Sequence, residues 1–217
     1  LDPNHECVLI DPVDLTAARD AEIIRELGLK PTLLLNTHVH ADHITGTGVL
    51  KKQHFPRAKS VLSTLSTGQA DVLVNHKDKL PLGLAFELHV RSTPGHTAGC
   101  VSYVLFHQKQ PLMVFTGDAL LIRGCGRTDF QEGDARVLYR SVHSELLTLP
   151  DEVLVYPAHD YHGRTVSTIG EERVHNPRLS KTEHEFVNLM HQLNLPYPSK
   201  IDVALPRNLK CGAYDLE

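Results

Sequence analysis

Thr37-His38-Val39-His40-Ala41-Asp42-His43 places three imidazoles and one carboxylate within six positions. Neutral imidazole is a strong ligand for zinc, copper, iron and nickel, and carboxylate suits harder ions. On a regular strand or helix these side chains would diverge, whereas on a tight loop leaving a strand they can converge on one or two ions. The apolar run Thr32-Leu33-Leu34-Leu35-Asn36 supplies that strand. A metal site is the leading reading of this segment.

Four further pieces each follow an apolar strand-like run and open a loop: Thr93-Pro94-Gly95-His96-Thr97, Thr116-Gly117-Asp118, Gly124-Cys125-Gly126-Arg127, and Pro157-Ala158-His159-Asp160-Tyr161-His162. Loops at one end of a sheet can gather ligands that are distant in sequence. Singly, His96 reads as a hydrogen-bonded loop histidine, Asp118 as a turn residue and His159 as a solvated strand end. In order with His38, His40, Asp42 and His43, they read as one metal site.

The elements that must position these residues follow from hydrophobic periodicity. Val8-Leu9-Ile10 is a short strand ended by Asp11-Pro12. Thr16 to Leu27 has helical spacing, with Gly28 placed for a C-terminal cap. Residues 44–54 read as a helix stopped by Pro56, and Ser60 to Leu62 as a strand. Residues 85–92 alternate as a half-buried strand. Cys100 to Phe106 and Leu112 to Phe115 form a hairpin around residues 107–110, and Asp134 to Leu147 an amphipathic helix. Val153 to Tyr156 is an apolar strand. Ser180-Lys181-Thr182-Glu183 resembles a capping box that opens a helix to about Leu193. The tail from Asn194 is proline-rich and reads as loop. Strands alternating with helices predict a layered α/β domain over residues 1–217, with residues 180–217 as a C-terminal helix and tail.

Composition narrows the function classes. The chain has 217 residues, 41% hydrophobic and 22% charged, with formal net charge −4; this suits a globular domain with a real core and argues against a nucleic-acid partner, which calls for a clustered basic face. No apolar stretch approaches the roughly 20 residues that span a bilayer. The four cysteines, Cys7, Cys100, Cys125 and Cys211, contain no Cys-x-x-Cys pair. Their spacing favours free thiols in a reducing compartment over a zinc ribbon. Of the 15 histidines, ten fall outside the candidate site and are expected on the surface or in loops. The sequence starts at Leu1 and enters a strand-like run almost at once, so an N-terminal strand and any targeting peptide are expected to precede it.

The motif His38-x-His40-x-Asp42-His43, followed by His96, Asp118 and His159, resembles the metallo-β-lactamase superfamily. Longer runs, residues 36–46, 115–130, 156–163 and 176–179, resemble its persulfide dioxygenase branch. The resemblance implies a four-layer αββα sandwich with the site at one edge of two sheets. It implies oxidation of glutathione persulfide by dioxygen to sulfite and glutathione, in hydrogen sulfide catabolism. It also implies one Fe(II) per chain held by His38, His96 and Asp118, a two-histidine, one-carboxylate triad with open positions. His40, Asp42, His43 and His159 would then surround the triad, orient it and move protons.

Arg127 and Tyr161 are the candidates for holding the glutathionyl group, since arginine matches carboxylate geometry. Against these stand a loop-fixing salt bridge for Arg127 and simple packing for Tyr161. Arg178 is expected in a structural ion pair. Cys125 lies near the site without features of a nucleophile. The resemblance further implies a possible homodimer, located in the mitochondrial matrix for a eukaryotic source and in the cytoplasm for a bacterial one. The same seven ligand-type residues could instead hold two zinc ions, with His38, His40 and His96 on one, Asp42, His43 and His159 on the other, and Asp118 bridging. That is the arrangement expected of the glyoxalase II thioester hydrolases. A non-enzymatic metal-bearing scaffold would be favoured by loss of a ligand, and none is lost.

Overall fold

The computed structural model describes residues 4–212. Strands β1 (Glu6–Ile10), β2 (Lys30–Leu35), β3 (Lys59–Ser63) and β4 (Val72–Val74) form a parallel sheet in that order. Strands β5 (Lys79–Leu82), β6 (Phe86–Ser92), β7 (Val101–His107), β8 (Gln110–Gly117), β9 (Leu154–Pro157) and β10 (Ser167–Thr168) form a mixed sheet in the order β10-β9-β8-β7-β6-β5. Its one parallel pair is β8 with β9.

Apolar residues of the two inner faces meet in a layer made by Leu35, Val61 and Val74 from the first sheet and Leu88, Val90, Val101 and Tyr103 from the second. The outer face of the first sheet is covered by helix α1 (Ala17–Glu26), whose Ala17 and Ala21 pack with Leu34 and Leu50. The outer face of the second is covered by helices α3 (Ala135–Ser141) and α5 (Glu183–His191), where Leu138 and Phe186 join Val114 and Val155. The result is the expected α/β sandwich of four layers, αββα. β2 is buried on both faces, Leu34 against α1 and Leu35 in the layer between the sheets, which is why it reads as an uninterrupted apolar run.

Most predicted elements stand where the pattern put them, and four differ in instructive ways. Helix α2 (Thr47–Val49, continued by a π-helical turn Leu50–His54) starts three residues later than residue 44. Thr45 is instead drawn into a polar knot, its hydroxyl donating to Asn36 Oδ1 at 2.8 Å, while Gly46 N–H reaches Pro12 carbonyl at 2.6 Å. The capping box exists but is centred on Thr182 and Glu185 rather than on Ser180. Helix α4 (Ile169–His175) was not apparent in the sequence. The tail is not all loop, because Ile201–Asn208 forms helix α6 with Pro206 inside it. The expected cap holds, with Gly28 at φ +65° after α1. All four cysteines are free, and none of the ten remaining histidines is buried. No helix among the described residues is long and apolar enough to cross a membrane.

Candidate metal centre

The strands β1, β2, β6, β8 and β9 all end at the same edge of the sandwich, and every candidate ligand lies just past one of these ends. The histidine loop leaves β2. Its first turn is fixed by Asp11, the residue after β1, which sits at φ +51°. Asp11 accepts from Thr37 N–H at 2.7 Å, Thr37 hydroxyl at 2.8 Å and His40 Nε2–H at 3.0 Å. Because the Thr37 hydroxyl donates to Asp11, its oxygen accepts from His38 Nδ1–H at 2.9 Å. His38 therefore presents the lone pair of Nε2.

The same logic repeats around the cleft. His96 donates Nδ1–H to the Arg127 carbonyl at 2.7 Å, leaving Nε2 facing Asp118 Oδ2 at 3.4 Å. His43 donates Nδ1–H to Asp42 Oδ2 at 3.1 Å. His38, His40 and His96 each spend one nitrogen on an acceptor outside the seven ligand-type residues, and His43 spends one on its neighbour Asp42, which sets the tautomer and aims the other nitrogen inward. His159 Nε2 closes the far side, 3.4 Å from Asp42 Oδ2 and 3.6 Å from Asp118 Oδ1.

His38, His96 and Asp118 each offer one ligand atom within 4.8 Å of the others, and so, as a second group, do His40, Asp42 and His43. His40 Nδ1, His43 Nε2 and Asp118 Oδ1 are buried without a hydrogen-bond partner. Polar atoms in that state are costly unless something coordinates or solvates them. The donor set of two imidazole nitrogens and a carboxylate, with orphaned acceptors beside it, fits a cation. Gly126 permits the approach of the ligands. A Cβ there would lie 2.7 Å from the Asp118 carbonyl and 2.8 Å from His96 Nδ1.

A profile of the Metallo-beta-lactamase superfamily matches residues 1–159. The chain is 57% identical over 209 residues to mouse "Persulfide dioxygenase ETHE1, mitochondrial", covering 96% of this chain and 80% of that protein. The crystal structure of ETHE1 from Myxococcus xanthus superposes with TM-score 0.91 at 48% identity, covering 97% of this chain and 91% of that one.

The chain belongs to the metallo-β-lactamase superfamily, in its persulfide dioxygenase branch. The hydroxyacylglutathione hydrolase GloC of Haemophilus influenzae is a more distant relative, 30% identical over 82% of this chain and 90% of that one.

Within this family frame, the electrostatics separate the two buried imidazoles. Burial pushes His38 well below the ordinary histidine value, and the neighbouring rings His40, His96, His159 and His43 push it further. His38 is neutral and ready to ligate. Burial acts on His40 the same way, but the Asp11 carboxylate overrides it and raises the pKa. Burial alone would raise Asp42, yet His43 and His159 hold it well below the usual carboxylate range.

A cavity of about 490 Å³ opens from the centre, lined by His96, Asp118, Arg127, Phe130, Tyr161 and Arg178 among others. The structure brings all seven ligand-type residues together and places Arg127 and Tyr161 on this cavity. Arg127 is not idle: its fork pairs with Asp129 at 2.6 and 2.7 Å and donates to the Pro196 carbonyl at 2.8 Å. Tyr161 is 78% exposed and stacks near His159, with ring centroids 6.1 Å apart. Arg178 is not held by an ion pair among the described residues but donates to the Cys125 carbonyl at 3.0 Å. Asp11 was read in the sequence only as a strand terminator. Its position, an acid at the end of a strand on the ligand-bearing edge, was the available signal.

Proposed function

We propose that this protein is an Fe(II)-dependent sulfur dioxygenase that converts glutathione persulfide, dioxygen and water into glutathione and sulfite, in hydrogen sulfide catabolism. The observation that carries this reading is the 57% identity to a persulfide dioxygenase across 96% of the chain. The geometry supports it through the inward-facing set His38, His96 and Asp118.

These three residues would hold the iron on one side, leaving its other side facing the cavity. A ferrous ion with open positions supplies the one-electron chemistry with dioxygen that side chains lack. The protein's own contribution is to bind, orient and exclude. Asp11, Thr37 and the Arg127 carbonyl fix the tautomers of His38 and His96. His40, raised by Asp11, keeps a proton more readily than His38, so it is suited to proton handling beside the triad rather than to ligation. His43, Asp42 and His159 line the path by which a proton can leave toward the partly exposed Asp42.

The cavity is large enough for a peptide-sized thiol. Tyr161 offers a ring face and hydroxyl to the glutathionyl group. Arg127 would meet a glutathione carboxylate by exchanging Asp129 for it, a substitution of one bidentate partner by another. The small-molecule partners are glutathione persulfide and dioxygen. The compartment follows that of relatives, the mitochondrial matrix for a eukaryotic source and the cytoplasm for a bacterial one, and a homodimer is the proposed assembly.

A second reading, a binuclear thioester hydrolase, is favoured by one observation: His40, Asp42 and His43 also converge within 4.8 Å. Metal analysis of anaerobically purified protein separates the two. One iron per chain, with oxygen uptake on glutathione persulfide, is expected. Two zinc ions per chain, with turnover of S-lactoylglutathione and no oxygen uptake, would sink the dioxygenase. His38→Ala should abolish iron binding while His40→Ala retains most of it, and equal loss in both would contradict the single-iron assignment.

A further inference from the structure

Helix α6 lies at the end of the chain farthest in sequence from the histidine loop, yet its last residue enters that loop. Asn208 is 4% exposed. Its Nδ2 donates to the His40 carbonyl and to the His43 carbonyl, both at 2.8 Å, and its Oδ1 accepts from Thr45 N–H at 2.9 Å. The orientation of the amide is unambiguous, because the flipped form would set its oxygen against two carbonyls. One side chain thus spans residues 40 to 45 and satisfies three backbone groups that belong to no helix or strand.

The loop needs such a clamp. Its side chains are aimed inward, and two of them leave buried nitrogens unpartnered, His40 Nδ1 and His43 Nε2. A loop with that cost has other conformations open to it unless its backbone is fixed. On the opposite side, Gln131 Nε2 donates to the Val39 carbonyl at 2.8 Å, so the turn between His38 and His40 is gripped as well. By contrast, His38, His96 and Asp118 are oriented by Thr37, the Arg127 carbonyl and the end of β8, and none of the three Asn208 hydrogen bonds goes to these groups.

We infer that Asn208 is a positioning residue for the dioxygenase reaction: it fixes the His40–His43 half of the centre relative to the metal triad without taking part in ligation. This rests on the iron assignment above. Of the clamped loop, only Ala41 and Asp42 line the large cavity. Loss of the clamp therefore bears on turnover more than on substrate capture.

The test uses Asn208→Asp and Asn208→Ala in the full chain, with Ile201→Ala as a control. Ile201 is buried in α6, so its truncation loosens the helix without removing the clamp. Wild-type iron content and oxygen uptake are measured first, and failure there refutes the iron assignment and not the clamp. In both Asn208 variants we expect about one iron per chain. We expect kcat to fall at least tenfold with KM within threefold of wild type, and the electron paramagnetic resonance spectrum of the ferrous nitrosyl adduct to change. In Asn208→Ala, which loses the acceptor of the Thr45 amide, hydrogen exchange at that amide in metal-free protein should accelerate at least tenfold. Ile201→Ala should leave kcat and the nitrosyl spectrum as in wild type. The inference is overturned if the Asn208 variants keep wild-type kcat and spectrum. It is equally overturned if Ile201→Ala lowers kcat as much as they do, or if both Asn208 variants fail to fold while Ile201→Ala folds, since each assigns Asn208 to stability alone.

Discussion

Asp11 is the residue on which the most geometry converges. It holds His40 directly and His38 through Thr37, with three acceptor bonds of 2.7, 2.8 and 3.0 Å. Asp11→Asn conserves volume but replaces one acceptor oxygen by a donor. Every group facing the Asp11 carboxylate is itself a donor, so at least one hydrogen bond becomes a donor–donor clash. Outer partners of this kind typically govern metal affinity by about 10–100-fold. The expected outcome is an iron affinity weakened by about that factor, read by iron titration with a competing chelator. Unchanged affinity would show that Thr37 and His40 hold their geometry without it. At this scale the sequence was legible wherever chemistry comes in recognisable residue types: His38, His40, Asp42, His43, His96, Asp118 and His159 all lie in one cleft. Asp11 carried only the weak signal of an acid at a strand end, and Asn208 carried none, because its role exists only once α6 meets the histidine loop.

At the scale of elements, α4 shows how a segment remote from the metal can fix its surroundings. Glu172, fully buried on α4, accepts from Ser167 hydroxyl at 2.7 Å and Asn176 Nδ2 at 3.0 Å, and pairs with the Arg123 guanidinium. It also accepts from Arg123 N–H at 2.8 Å, while Asn176 Nδ2 reaches the Gly124 carbonyl at 3.0 Å. The segment that runs on to Gly126, between His96 and Asp118, is thereby tied to the helix. The Arg123 side chain is 27% exposed and keeps Glu171 as a partner, so the cost of removing the Glu172 carboxylate falls on the hydrogen bonds it breaks and the buried Ser167 hydroxyl it leaves unpaired, about 1–3 kcal/mol. Glu172→Ala should lose stability on that order in urea unfolding, and a loss under about 1 kcal/mol would mean that water replaces the carboxylate. Neither α4 nor α6 could be read from periodicity. The first is short and contains Gly170; the second contains Pro206, which removes a helical donor and normally argues against a helix. Both are held by tertiary contacts, Glu172 in one and Ile201, Ala204 and Asn208 in the other, and not by local propensity. Strands β1, β2, β3, β7, β8 and β9 were legible as apolar runs and β6 as an alternating one, whereas the short strands β4, β5 and β10 were not read.

For the whole molecule, stacking two sheets so that five strand ends share one edge puts polar and titratable groups on a dry core. Cys100, the residue before β7, is buried against Thr97, the neighbour of His96. Its thiol accepts from Thr97 N–H at 3.4 Å. Burial pushes it up to about 12, with the Asp118 and Asp11 carboxylates adding to the rise and Thr97 opposing it. Burial likewise pushes Cys125 up to about 11. The sign follows from proton counting. The unfolded thiol loses its proton near the ordinary thiol value of 9.0, while the folded thiol of Cys100 keeps it until about 12. Between these values the native state binds more protons than the unfolded state, so stability is fully present below pH 9 and falls as pH rises. Each such thiol contributes a slope of about 1.4 kcal/mol per pH unit within its window. Cys100→Ala removes one thiol from this balance. Its deficit relative to wild type should therefore shrink by about 2 kcal/mol between pH 9 and pH 10.5, measured by urea unfolding of metal-free protein at each pH. Parallel curves for the two proteins would mean that the Cys100 thiol ionises in the fold as easily as in water, and that its surroundings are wet.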